Sequence, residues 1–302
     1  MDDCIIIGGG PAGLTAAIYL ARYLLDIRLF DCGTSRATLI PRTHNHAGYP
    51  DGVPGAELVG NMMQQALKFG VVREEKRVTH LARADDHFIV GTDGGAFTAR
   101  TVLLATGVFN RHPPGMADDL HDEALERGLL RYCPVCDGYE VIDRRVGVIG
   151  TGKHGTAETL FLRGFTRDLT LVSPDSAHEL PDECRKELDA AGIDRVAGPC
   201  GAYAIRGDRL AVETARGWLS FESVYPALGS DVRSELAQAV GAKVGEGDCI
   251  IVDRKQRTSV AGLYAAGDVT IGLDQIGHAM GAAGIAATDI RNMLAAERPL
   301  RR

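Results

Sequence analysis

The strongest constraint on this chain is a unit that occurs twice. Near the start a short apolar run, Cys4-Ile5-Ile6-Ile7, ends in Gly8-Gly9-Gly10-Pro11-Ala12-Gly13. A helical pattern follows (Leu14, Ala17, Ile18, Leu20, Ala21, Leu24), then the run Ile27-Arg28-Leu29-Phe30, closed by Asp31. Much later Val146-Gly147-Val148-Ile149 leads into Gly150-Thr151-Gly152-Lys153-His154-Gly155, a helical stretch with Ala157, Leu160 and Phe161, and the run Leu169-Thr170-Leu171-Val172. Each is a strand–turn–helix–strand unit. A glycine turn that opens a helix offers free N–H groups to an anion, so each unit can cradle a phosphate.

The repetition extends beyond the turns. After the first unit comes a hairpin signal around Thr92-Asp93-Gly94-Gly95, then Thr101-Val102-Leu103-Leu104 ending in Ala105-Thr106-Gly107. After the second come two runs around Ala215-Arg216-Gly217, then Val224-Tyr225-Pro226-Ala227 ending in Leu228-Gly229. The expected fold is therefore α/β, with two Rossmann-like nucleotide-binding domains of the three-layer ββα type carrying inserted β-hairpins. A third piece holds strands over 249–253 and 262–268 and a Gly/Ala-rich helix over 281–294. It is too small to bury a core and must return to one half. The expected domains are 1–112 with 247–302, discontinuous, and 113–246. The crossings are read near 111–114 and 245–248, which are rich in Pro, Gly or charge.

Composition excludes several classes. Lys and Arg number 33 against 40 Asp and Glu, a net charge of −7, which argues against a nucleic-acid partner. The longest nearly apolar run, 276–287, contains His278 and is too short to cross a bilayer. The acidic start, Met1-Asp2-Asp3, runs straight into a strand with no secretory pattern, so a cytoplasmic location is expected. Glycine, 37 of 302 residues, exceeds the usual share of about 7%, as close backbone approach to a nucleotide requires.

Seven cysteines do not form the framework of a small secreted scaffold. Cys4, Cys32, Cys184, Cys200 and Cys249 stand alone, while Cys133-Pro134-Val135-Cys136 is a CxxC pair. Such a pair reads as a redox or a metal pair. A metal site needs two further ligands at matching spacing, and Cys184 and Cys200 lie 16 apart with no second CxxC, so no metal is expected. The redox reading holds that CxxC brings two sulfurs within disulfide reach across one helical turn, where a helix N-terminus lowers the thiolate pKa. The plain alternative is two buried structural cysteines. Asp137, next to Cys136, can serve as a general acid or be an ordinary surface carboxylate.

In the first glycine run Gly8 permits the turn, Gly10 lets backbone approach a pyrophosphate, and Gly13 lets helix pack on strand. Asp31, 23 residues after Gly8, is placed to accept from a ribose hydroxyl of FAD or NAD. Gly150, Gly152 and Gly155 repeat the logic, but Ser173-Pro174-Asp175-Ser176 follows Val172. No arginine stands there to hold a 2′-phosphate and Asp175 would repel one, which favours NADH over NADPH. A vestigial nucleotide fold is the alternative.

These motifs, taken in order, resemble the low-molecular-weight thioredoxin reductase family of flavoproteins over nearly the whole chain. They are Gly8–Gly13, Asn45-His46-Ala47-Gly48-Tyr49-Pro50, Ala105-Thr106-Gly107, Cys133–Cys136 with Asp137-Gly138, Gly150–Gly155, and Ala265-Ala266-Gly267-Asp268-Val269 followed by Asp274-Gln275-Ile276. The resemblance implies FAD in the first half plus the C-terminal piece, with Gly8, Gly10, Pro11, Ala12, Gly13 and Asp31 at its ADP part. Arg36, Asn45, Val78, Ala105, Thr106, Gly107 and Gly267 complete that site, with Asp268 near the ribityl and phosphate and Gln275 and Ile276 against the flavin ring. It places NADPH or NADH on Gly150, Gly152, Lys153, His154, Gly155 and Gly229. It further implies that Cys136 faces the flavin, Cys133 attacks the substrate disulfide and Asp137 is the acid. A rotation between halves, a homodimer, and a thioredoxin-like protein or small disulfide as partner also follow from it.

The chain departs from the family pattern. The usual cationic run for the NADPH phosphate is Ser173-Pro174-Asp175, the arginine before Gln-Ile is Asp274, and 35–43 is short. Asp137-Gly138-Tyr139-Glu140 resembles a divergent branch that includes dithiol oxidases. Oxidation of a small dithiol by oxygen, reduction fed by a ferredoxin, and a redox-sensing flavin-binding module are the alternatives. His278 reads as a base near the flavin or as a helix-start residue. His44 and His46 read as loop residues, Met62, Met63 and Trp218 as packing, and Arg298, Arg301 and Arg302 as a solvated tail.

Overall fold

The computed structural model describes residues 1–297, so the basic tail at 298–302 lies outside the described residues. Its first sheet runs, edge to edge, Val72–Glu74, Ile27–Phe30, Asp2–Ile7, Gly95–Leu104, Phe88–Thr92 and Val78–Arg83. Leu263–Ala265 adds in parallel to the far end of Gly95–Leu104. That ten-residue strand serves two layers: its first half pairs antiparallel with Phe88–Thr92, and its second half pairs parallel with Asp2–Ile7. The hairpin turns at Thr92↔Gly95, as the glycine pair demands.

The apolar run at the start is buried on both faces, which is why it does not alternate with polar residues. Cys4 and Ile6 join the core under the helices, and Ile5 and Ile7 join the core on the other side. Helices Pro11–Arg22, Gly55–Lys68 and Ile276–Glu297 cover the first face. The last helix begins five residues before the expected 281. Its buried alanines, Ala279, Ala282, Ala283, Ala286 and Ala287, let it lie tightly on Pro11–Arg22, and that packing offsets the helix-weakening Gly277 and Gly281.

The second half repeats the plan. Asp194–Val196, Leu169–Val172, Val146–Gly150 and Ser223–Ala227 form a parallel sheet, beside an antiparallel sheet of Tyr203–Arg206, Arg209–Thr214 and Gly217–Phe221. The chain passes between the halves along two paired antiparallel strands, Val108–Asn110 and Ser230–Val232. After the second of these strands, Ala237 and Ala242 are buried in the first half's core, with Val232, Leu236 and Val240 against it. Among the described residues no helix is long and apolar enough to cross a membrane.

Candidate active site

The first glycine turn is shaped by steric necessity. Gly8 has φ +114°, and a Cβ there would overlap the carbonyl of Ala105. A Cβ on Gly13 would overlap the carbonyl of Gly8, so strand and helix meet without a side chain between them. Gly9, which the spacing pattern leaves unassigned, faces the Asp31 carboxylate closely enough that no side chain fits. Asp31 is buried at the end of its strand. Its Oδ1 accepts from the Gly33 N–H at 3.0 Å and its Oδ2 from Arg73 at 3.2 Å. Arg73 belongs to the neighbouring parallel strand, Val72–Glu74, and no local motif announces it.

A cavity of about 770 Å³ runs from this turn to the cysteine pair. Apart from Gly13, every residue expected at the flavin nucleotide lines it, including Asp31, Arg36, Asn45, Val78, Thr106, Asp268, Gln275 and Ile276. Arg36 bridges Asp268 at 3.1 Å and Asp274 at 3.2 Å. Burial, and then the charge of Asp268, push the Asp274 carboxyl up, against the pull of Arg36. The size suits a dinucleotide cofactor. The missing Cβ atoms at Gly8 and Gly13 and the buried acid at the strand end are what an ADP group needs, so the residues fit FAD.

Cys133 and Cys136 form a disulfide across the short helix Pro134–Asp137. Cys133 caps that helix, its Sγ accepting from the Cys136 N–H at 3.1 Å. The amide Nε2 of Gln275 donates to both sulfurs, at 3.3 Å to Cys133 and 3.1 Å to Cys136. Asp137 sits between two donors: Arg131 at 2.9 Å and the buried Tyr225 hydroxyl at 2.8 Å. Burial pushes the Asp137 carboxyl above its ordinary range, while those two donors pull it back. The same burial, with the Asp137 charge, pushes the Tyr225 hydroxyl up, so it remains a donor. Tyr225 carries no sequence signal, because the strand Ser223–Ala227 reaches Asp137 only in the folded chain, and Arg131, six residues before Asp137, belongs to no motif.

A smaller cavity of about 340 Å³ opens beyond the disulfide, bordered by Pro134, Val135, Phe161 and Leu273. Cys133 lines both cavities, whereas Cys136 lines the larger and not the smaller.

The second glycine turn is close-packed in the same way. A Cβ on Gly155 would come within 2.9 Å of the Gly150 carbonyl carbon, and Gly152, at φ +63°, opens the helix Gly152–Leu162. His154 and Gly229 line the smaller cavity, but Gly150, Gly152, Lys153 and Gly155 do not. Lys153 is exposed and paired with Glu183 at 3.3 Å. His154 pairs with Glu158 at 3.0 Å, which raises its pKa. Asp175 is exposed beyond the strand Leu169–Val172. His278 is exposed on the first turn of the last helix and lines neither cavity.

The chain is similar to known proteins. A family model described as pyridine nucleotide-disulphide oxidoreductase matches residues 2–284. Thioredoxin reductase of Mycolicibacterium smegmatis is 31% identical over 285 residues, covering 89% of this chain and 88% of that protein. The bifunctional thioredoxin reductase/thioredoxin of Mycobacterium leprae is 32% identical over 288 residues, 89% of this chain, which spans 60% of that longer protein. The solved thioredoxin reductase of Streptococcus pyogenes has a TM-score of 0.88 at 28% identity, covering 98% of this chain and 99% of that one.

Proposed function

Because this chain belongs to the pyridine nucleotide-disulphide oxidoreductase family, as an FAD-dependent disulfide oxidoreductase of thioredoxin reductase type, we propose that its two cysteines divide the work. Cys136 is the sulfur that receives electrons on the inner side, and Cys133 is the sulfur that meets an external disulfide. One observation carries this reading: Cys136 borders only the larger of the two cavities, and Cys133 borders both. FAD bound in the larger cavity supplies two-electron transfer between a nicotinamide and this disulfide. The Gly8 to Gly13 turn, Asp31 and Asp268 would hold it.

Asp137 is the acid. Its raised pKa keeps more of the carboxyl protonated near neutrality than an exposed aspartate would, ready to deliver a proton to a departing thiolate. Arg131 and Tyr225 fix its orientation from both oxygens. The second glycine turn binds the pyridine nucleotide, and the donor is NADH: Asp175 stands where a 2′-phosphate would need a cation. The partner is a thioredoxin-like protein or a small disulfide, in line with the named activity of the relatives. The paired strands Val108–Asn110 and Ser230–Val232 are the hinge about which the halves turn to present nucleotide and dithiol alternately. The chain works as a cytoplasmic homodimer. Exposed Tyr19 and Ile285, on helices that pack together, offer an apolar face for a second copy.

The Cys133→Ser protein tests the division. It should remain yellow, bleach with nucleotide under anaerobic conditions, and turn over no disulfide. Retained turnover removes the assigned role. Bleaching by neither NADH nor NADPH would instead favour a different electron source.

A further inference from the structure

Three polar side chains form a line that ends on the disulfide. The Thr43 hydroxyl donates to Oδ1 of Asn45 at 2.9 Å. Nδ2 of Asn45 donates to Oε1 of Gln275 at 2.9 Å. Nε2 of Gln275 donates to Cys133 Sγ at 3.3 Å and Cys136 Sγ at 3.1 Å. Every link points its donor toward the sulfurs. Thr43 anchors the line: it is buried, and its backbone N–H and C=O are both paired with Val53, at 2.9 and 3.0 Å.

We propose that Asn45 is a positioning residue for the dithiol: it fixes which end of the Gln275 amide faces the sulfurs, and so favours the reduced pair. The argument is one of polarity. A side-chain amide can present either NH₂ or oxygen, and the two faces have nearly the same shape. Reduction puts two electrons into the S–S bond, which breaks and leaves a thiolate on each sulfur until protons from solvent or an acid arrive. An N–H aimed at a nascent thiolate stabilises it, whereas a carbonyl oxygen in the same place repels it. Stabilising the reduced form makes a disulfide more oxidising. Asn45, presenting its NH₂ to Oε1, forces the favourable face. An aspartate there presents only acceptors, draws the Gln275 NH₂ to itself and turns Oε1 onto the sulfurs.

This rests on the reading that the Cys133–Cys136 pair is the redox centre, and it makes a claim about equilibrium, not turnover. The test equilibrates the flavin-loaded protein with glutathione buffers. Two glutathione thiols give up two electrons and two protons to form glutathione disulfide and the protein dithiol. After alkylation, mass spectrometry of the cysteine peptide gives the reduced fraction. Asn45→Asp should shift the equilibrium about tenfold toward disulfide, equivalent to about 30 mV. Thr43→Val, which adds no charge and frees the Asn45 amide, should shift it the same way by about threefold. Charge and orientation separate in a double-mutant cycle with Gln275→Leu. If Asn45 acts through Gln275, the aspartate has little effect once that amide is gone. A shift under twofold for Asn45→Asp overturns the proposal, as does an equal shift with and without Gln275. Far-UV circular dichroism of each variant reports an intact fold, and flavin absorbance reports its loading. A pair that exchanges normally but ignores Asn45 sinks this inference alone. A pair that never exchanges with glutathione, and does not turn over disulfide, sinks the functional reading as well.

Discussion

In the first half the glycine turn leads to a strand end where Asp31 is buried and held by Arg73 and the Gly33 N–H. In the second half the matching strand end is Ser173-Pro174-Asp175, with the aspartate exposed. The turns themselves are built alike, since Gly13 against Gly8 and Gly155 against Gly150 both exclude a Cβ. The two halves thus share a close-packed glycine turn and differ in the strand end that, on the proposed reading, would meet a ribose. A glycine turn declares that a nucleotide can dock, and the next strand end selects which one. The halves also differ in enclosure: the first turn opens into a cavity of about 770 Å³, and the second contributes only His154 to one of about 340 Å³.

Breaking each turn in the same way is the sharpest test of that contrast. Gly8→Ala puts a Cβ onto the Ala105 carbonyl at positive φ, so the protein should lose about 1–3 kcal/mol of stability and most of its flavin. Thermal unfolding and visible absorbance measure both. Gly155→Val should leave the protein yellow and abolish bleaching by nucleotide. If it loses flavin equally, the division of cofactors between halves is wrong.

Reversing the charge at the second strand end comes next in size. Asp175→Arg should raise kcat/KM for NADPH relative to NADH by about tenfold, the scale of one charge contact made attractive. Because Asp175 is exposed, thermal stability should not move. An unchanged nucleotide ratio would show that this strand end does not read the ribose.

A smaller effect is expected at the acid. If Asp137 works protonated, as proposed, disulfide turnover falls as pH rises through its pKa. Tyr225→Phe removes a donor that favours the carboxylate, so the pKa rises and the falling limb moves to higher pH. Turnover well above that limb should change a few-fold. A pH profile that coincides with the parent's removes Tyr225 from the network.

Least affected should be Lys153→Ala. Lys153 and Glu183 are both exposed, and such pairs contribute about 0–1 kcal/mol. Flavin content should stay at the parent level. Nucleotide KM should change only if Lys153 touches the bound phosphate, which makes this variant a direct check on that expected contact.

Much of the site could be read in advance because it is local. Gly8, Gly10 and Gly13 announce a turn through spacing alone, and Cys133 and Cys136 are three residues apart, within reach on any helical turn. Asp31 was legible because a strand of fixed length carries it back beside the turn. Arg73 and Tyr225 are not, because each reaches its carboxylate from another strand in a position set by sheet order, and Arg131 is held at Asp137 by its neighbour Leu130 pairing with Val224. The packing of 232–242 on the first half is hidden in the sequence for a related reason. Ala237 and Ala242 look unremarkable in sequence and become core residues only when the first sheet lies beneath them.

Sequence alone determined the doubled α/β plan, the two glycine turns and the presence of a cysteine pair next to an acid. These follow from periodicity, from the freedom of glycine and from short spacings, all properties of neighbouring residues. Tertiary structure decided which sulfur faces which cavity, what holds Asp137, and that Thr43, Asn45 and Gln275 line up on the disulfide. Those outcomes join residues up to 230 positions apart, and the Asn45–Gln275 contact exists only after the last helix has packed back on the first.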